Sequence, residues 1–151
     1  MIHAQNAKYV LVTSPVAIVN NASWTTAEID TAGWDYAEVA FCMGANDIDV
    51  TALKVTESDT SGSGHVDVPG LVYGTSANIA GSTSALPLAT DDDSIFKFEI
   101  DLKNRKRYLD FVATNGNGAA GGFACIVARL SRAENAPTTA AEAGCADILR
   151  A

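Results

Sequence analysis

Between Ile95 and Leu102, the apolar residues Phe96, Phe98, Ile100 and Leu102 alternate with Lys97, Glu99 and Asp101. A period of two is the pattern of a β-strand with one buried and one wet face. Short segments of similar character, separated by turn residues, recur along the chain. Strands are expected over residues 8–12, 16–19, 24–29, 34–43, 50–56, 95–102, 108–114 and 123–130. Residues 34–43 end at the breaker Ala45-Asn46-Asp47, and beyond it Leu53 and Val55 share one face. The last strand is apolar at nearly every position from Phe123 to Ala128. That pattern suits a central strand covered on both faces, or one buried in an oligomer.

Two stretches depart from this pattern. Residues 57–94 are rich in Gly, Ser and Thr, with Pro69, Pro87 and only brief apolar pieces at 66–68 and 70–73. So long a stretch is unusual as a structureless loop, and it reads as an insertion carrying short edge strands. Residues 133–151 form an Ala/Thr-rich C-terminal arm, in which Thr139 and Glu142 have capping-box spacing for a short helix. The 151 residues suit one domain with a real core. The expected fold is therefore all-β, a jelly-roll-like or Greek-key β-sandwich over residues 1–132 followed by the arm.

Charge limits the partners. Ten Lys+Arg against 18 Asp+Glu leave a net charge of −8, which repels both nucleic acid and anionic membranes. No stretch nears the ~18 apolar residues of a membrane span, and the first residues lack the basic and apolar regions of a signal peptide. Cys42, Cys125 and Cys145 are an odd, widely spaced set that suits neither a disulfide framework nor a zinc ribbon. They read as reduced structural thiols in a protein made in a cytoplasm.

The chemical motifs are weak. Gly116-Asn117-Gly118-Ala119-Ala120-Gly121 spells the G-x-G-x-x-G string, but a dinucleotide site needs that string to open a helix, and here a strand follows. Asp91, Asp92 and Asp93, with Asp47 and Asp49, offer oxygens to a hard cation without the regular spacing of an EF-hand. They read better as solvated loops or as contacts to a neighbouring subunit. His65 lies in a Gly/Ser segment that would hold a catalytic base poorly, and no nucleophile elbow is present. With two histidines in the chain, composition points away from an enzyme, and no cofactor or metal is implied.

The most unusual feature is the turn between two strong strands. Lys103, Arg105, Lys106 and Arg107 place four of the ten basic residues within five positions. Without interleaved aromatics or a second patch nothing supports a nucleic-acid site. The cluster reads either as a contact to an acidic protein surface, such as another copy of the chain, or as a solvated turn. Pro137, Thr138 and Thr139 at the head of the arm complete the candidate interface, together with Asp91, Asp92 and Asp93.

Several strings carry a family resemblance. The first is Leu11-Val12-Thr13-Ser14-Pro15, continuing to Asn21-Ala22-Ser23-Trp24-Thr25-Thr26 and Ile29-Asp30-Thr31. With it go Ala52-Leu53-Lys54-Val55-Thr56-Glu57-Ser58-Asp59, Arg105-Lys106-Arg107-Tyr108-Leu109-Asp110 and Leu130-Ser131-Arg132-Ala133-Glu134 with its tail. Together they resemble virion structural proteins of tailed bacteriophages, in particular small head decoration (capsid cement) proteins. The resemblance implies a non-enzymatic protein on the outer surface of the capsid, made in the bacterial host cytoplasm. It further implies a homotrimer touching the major capsid protein. A tail or head-completion protein is an alternative. So is a carbohydrate-binding sandwich on a virion surface, for which Trp24, Trp34, Tyr36 and Tyr73 are the candidate stacking aromatics.

Overall fold

A computed structural model describes residues 3–15 and 17–149. After a 3₁₀ turn over His3–Gln5 come eight strands: β1 (Ala7–Thr13), β2 (Ile29–Asp30), β3 (Trp34–Asn46), β4 (Val50–Ser58), β5 (Val66–Val72), β6 (Ile95–Asp101), β7 (Tyr108–Asn115) and β8 (Gly122–Ala133). They build two antiparallel four-stranded sheets, sheet A in the order β1-β8-β3-β6 and sheet B in the order β2-β7-β4-β5. Every link between successive strands changes sheet except the one joining β4 to β5. β1 thus pairs with β8, β2 with β7, β3 with β6 and β4 with β5, as if one long hairpin had been rolled up. Of the two windings open from the sequence, this order is the jelly roll.

The alternation in β6 does what its sequence dictates. Phe98 and Ile100 are buried between the sheets, while Lys97, Glu99 and Asp101 face water. β7 alternates strictly, sending Leu109, Phe111 and Ala113 inward to meet Val39, Phe41 and Ile126 of sheet A in a single core. A run of edge-on rings from Trp24 through Phe41, Phe96 and Tyr73 to Phe98 crosses that core, with neighbouring centroids 5.1–6.5 Å apart. In β3 the expected break does not stop the strand. The register shifts between Met43 and Asn46 instead, and this irregularity turns the Asn46 side chain inward.

Two expected strands are not regular strands. From 24 to 28 the chain is extended, but its hydrogen bonds are shared between the two sheets. Trp24 N–H bonds Ala113 O of sheet B at 2.9 Å, whereas Ala27 N–H bonds Val12 O of sheet A at 2.8 Å. The segment closes one side of the sandwich, so only Ile29 and Asp30 pair in a ladder. Of the segment 16–19, Val16 lies outside the described residues, and Val19 forms a single bridge to Gly122. Within 57–94, β5 is the edge strand of sheet B. It leads into a small loop bridged at Ala77 and Thr83 whose tip carries the fully exposed Ile79.

Sheet edges are templates for unwanted pairing, and both edges of sheet A are blocked locally. The Tyr73 hydroxyl donates to Lys97 O at 2.9 Å and accepts from Lys97 N–H at 3.2 Å on the free edge of β6. The C-terminal arm does the same for β1, where Tyr9 N–H bonds Ala143 O at 2.9 Å. The Thr139–Glu142 capping box forms, with Glu142 N–H 3.2 Å from Thr139 Oγ1, but it opens a single turn and no helix. Gly144 ends that turn in the left-handed region (φ +73°), and a Cβ there would run into the Tyr9 carbonyl. Residues 150 and 151 of the expected arm lie outside the described residues. Gly144→Ala should therefore detach the arm while leaving the sandwich folded. Hydrogen exchange at the Tyr9 amide should speed up by about tenfold or more, and an unchanged rate would show that the arm is not held this way.

Candidate functional site

The loops 17–23, 46–50, 86–94 and 115–122 gather at one end of the sandwich, and their acidic side chains fasten backbone. Asp47 accepts the Ala120 and Gly121 N–H groups at 2.7 Å each, and these bonds hold its carboxyl below the ordinary aspartate range. Asn20 exchanges two bonds of 2.9 Å with the backbone of Gly118. The glycine string thus bonds the chain's own side chains and leads into β8, which leaves no helix N-terminus to meet a phosphate. Asp49 accepts Ala89 N–H, Asp91 accepts Leu88 N–H and Asp92 accepts Asn46 N–H, each at 2.8 Å. Asp93 is exposed, at φ +57°. Among the described residues no three His, Cys, Asp or Glu side chains converge as a metal site would require.

The basic turn lies at the other end of β6, so the structure does not bring residues 103–107 and 91–93 together. Asn104 makes the turn at φ +64°. Two of its four cations serve the chain itself. Arg107 grips Asp30 with two bonds of 2.7 and 2.8 Å, stacks over Tyr108 and holds the Asp30 carboxyl below its usual range. Arg105 lies 3.5 Å from Glu57, whose other oxygen accepts Lys106 N–H at 3.1 Å. That leaves the Lys103 and Lys106 ammonium groups without an ion pair among the described residues. Pro137 is partly buried, and the Thr138 and Thr139 N–H groups bond the Glu142 carboxylate at 2.7 and 3.2 Å. These three residues belong to the turn that seats the arm on β1.

His65 has a structural setting. Its Nε2 stands 3.0 Å from Glu28, whose carboxylate also takes Gly62 N–H at 2.9 Å and the Ser61 hydroxyl at 2.6 Å. Those bonds, led by Gly62 N–H, keep the Glu28 carboxyl below its ordinary range and pin the β4–β5 loop. Of the candidate stacking aromatics, Trp24 is buried against Phe41 and Tyr73 lies between Phe96 and Phe98. Trp34 and Tyr36 flank a shallow hollow of about 370 Å³ with Asp101 and Lys103, and Arg132 covers the Tyr36 ring at 5.5 Å.

The surface that stands out is one the sequence candidates omit, the outer face of sheet A. The strand register arranges its outward side chains in rows across β1, β8, β3 and β6. One row is Tyr9-Arg129-Glu38-Glu99 and the next is Leu11-Val127-Ala40-Lys97. Cys125-Cys42-Ile95 follows, and Phe123 stands beside Gly44. In the first row and its border the charges cancel. Arg129 meets Glu38 at 3.1 Å, and Lys97 bridges Glu38 and Glu99 at 3.3 and 2.8 Å. Beyond that row the face is uncharged apart from the Lys97 stem, with Ile95 67%, Leu11 54% and Phe123 45% exposed. On the other side of the charged row, the row Ala7-Ser131-Tyr36-Asp101 adds the exposed Asp101 carboxylate. Burial pushes the Cys42 thiol above its ordinary range and adjacent Cys125 adds to the shift, so this thiol stays protonated and behaves as one more apolar group. The signal for this face was the unbroken apolar run in β8. Its inner half meets sheet B, and among the described residues nothing covers its outer half.

No protein-family model, no curated protein and no solved structure matches the chain. Fold and site together define a jelly-roll sandwich in which exposed apolar side chains, among them Leu11, Ile95 and Phe123, line part of the outer face of sheet A.

Proposed function

We propose that this chain is a non-enzymatic virion protein of a tailed phage, decorating the outer surface of the head and stabilising it through contacts with its own copies and with the major capsid protein. The exposed apolar part of the outer face of sheet A, with Leu11, Val127, Ile95 and Phe123, carries this reading. A protein with a net charge of −8 has little reason to keep such a face unless it meets another protein surface. The jelly roll supports the same reading, because viral coat domains use this architecture, although lectins and cupins use it too. On a lattice of identical sites, weak contacts of this size add up through avidity. The unpaired Lys103 and Lys106 supply a further contact to an acidic shell.

Co-sedimentation with undecorated heads of a phage that carries the chain is the test. Saturable binding is expected. The double variant Lys103→Ser/Lys106→Ser should bind about tenfold more weakly at low salt, with the gap closing as salt is raised. Absence of binding to such heads under any salt condition would overturn the assignment.

A further inference from the structure

We infer that the outer face of sheet A is a self-pairing surface, which joins two copies of this chain about a two-fold axis running parallel to the strands between β8 and β3. The argument comes from the register. Such an axis keeps each row facing the same row of the other copy, but sets β3 of one copy over β8 of its mate and β6 over β1. Glu38 then faces Arg129, and Arg129 faces Glu38, so each copy's ion pair is met by its opposite. Val127 falls on Ala40 and Phe123 on Gly44, the larger side chain on the smaller each time, and each match occurs twice. Tyr9 comes to Glu99, and the Lys97 stem lies along Leu11.

Other arrangements lose this fit. A two-fold across the strands reverses the order of the rows, so it lays the charged row either over the apolar rows or, centred on it, over itself with Glu38 on Glu38 and Arg129 on Arg129. A three-fold contact joins two different patches and cannot make the same reciprocal matches. Two copies of charge −8 repel each other, and at the centre of this face the charges of Glu38, Arg129, Lys97 and Glu99 balance within each copy, so they add no net repulsion there. Stacked sheets keep their strands within about 30° of one another, which preserves the central rows of the match. Four strands of about seven residues give a footprint of roughly 450 Å² per copy, against roughly 800 Å² in a standard interface. An interface of that size sits with the weak, transient contacts, so the pair is reversible.

This pairing concerns the free protein and stands apart from capsid binding. Sedimentation equilibrium of the full chain, from about 1 µM to about 1 mM, should show monomer passing into dimer. Val127→Glu, on the half-exposed side of β8, should leave only monomer over the same range with an unchanged melting temperature. Monomer at every concentration for the natural chain, or a trimer, overturns the inference. The register is tested separately, with Cys42, Cys125 and Cys145 all changed to Ser. In that background one chain carries Leu11→Cys and a second carries Lys97→Cys. A short bifunctional thiol reagent should join the mixed chains into a dimer and join neither chain to itself. A dimer that fails to cross-link in the mixture would rule out this two-fold.

Discussion

Phe41→Ala is expected to lower the melting temperature by about 10 °C, because it removes the ring through which the two sheets and the aromatic run make contact. Phe41 is fully buried in β3 and meets Trp24 edge-on at 5.5 Å and Phe96 at 6.5 Å. Truncating a buried Phe costs about 3–5 kcal/mol, from lost burial together with the cavity left behind. In a chain of this length each kcal/mol is worth roughly 2–4 °C. The neighbours cannot collapse into the gap. Trp24 is held by Ala113 O through its backbone, and Phe96 is braced by Tyr73, whose hydroxyl is tied to β6. Phe41→Leu, which refills most of the volume, should recover more than half of the loss. Thermal unfolding followed by circular dichroism measures both. A loss below about 3 °C for the alanine variant would mean that the core repacks more freely than these contacts allow.

The contrast between β6 and the segment 24–28 shows what a single sequence can convey. In β6, neighbouring residues differ sharply in polarity, so period, face and burial are all visible in eight letters. The sandwich class follows from several such segments separated by turns. The choice of jelly roll does not, since winding depends on which strands pair across long stretches of sequence, and linear patterns are silent on that. In 24–28 the residues suit a strand, yet the chain bonds β1 and β7 in turn, a tertiary choice that local propensity cannot foretell. The basic turn is a similar case. Four cations in five positions are obvious in the sequence, but their availability depends on Asp30 and Glu57, brought up from distant strands. The outer face of sheet A was half legible. The apolar run in β8 announced a covered outer side, while the contributions of Leu11, Cys42 and Ile95 emerge only once the register aligns them.

Gly122→Ala should destabilise the fold by about 3 kcal/mol, although Gly122 needs no left-handed backbone conformation. The cost is one of space. A Cβ at this position would run into the Asn46 side chain, 2.6 Å from its Cγ, and would lie 3.0 Å from Asn115 Nδ2. Those two amides are buried, Asn115 to 1% exposure, and they bond each other at 3.0 Å while Asn115 also donates to Val19 O at 2.9 Å. Pushing them apart strands polar groups away from water, at about 1–3 kcal/mol for each bond lost without replacement. If that is the cause, the penalty must shrink when the amide pair is already gone. In an Asn115→Ala background, Gly122→Ala should therefore cost at least about 1 kcal/mol less, a coupling that a double-mutant cycle in urea measures directly. Equal costs in both backgrounds would place the strain elsewhere. The pair matters beyond stability, because Asn46 lies just past the β3 irregularity and Gly122 directly precedes Phe123. The buried amides thereby fix the end of sheet A where Phe123 stands beside Gly44, and the geometry of the outer face depends on that end holding its register.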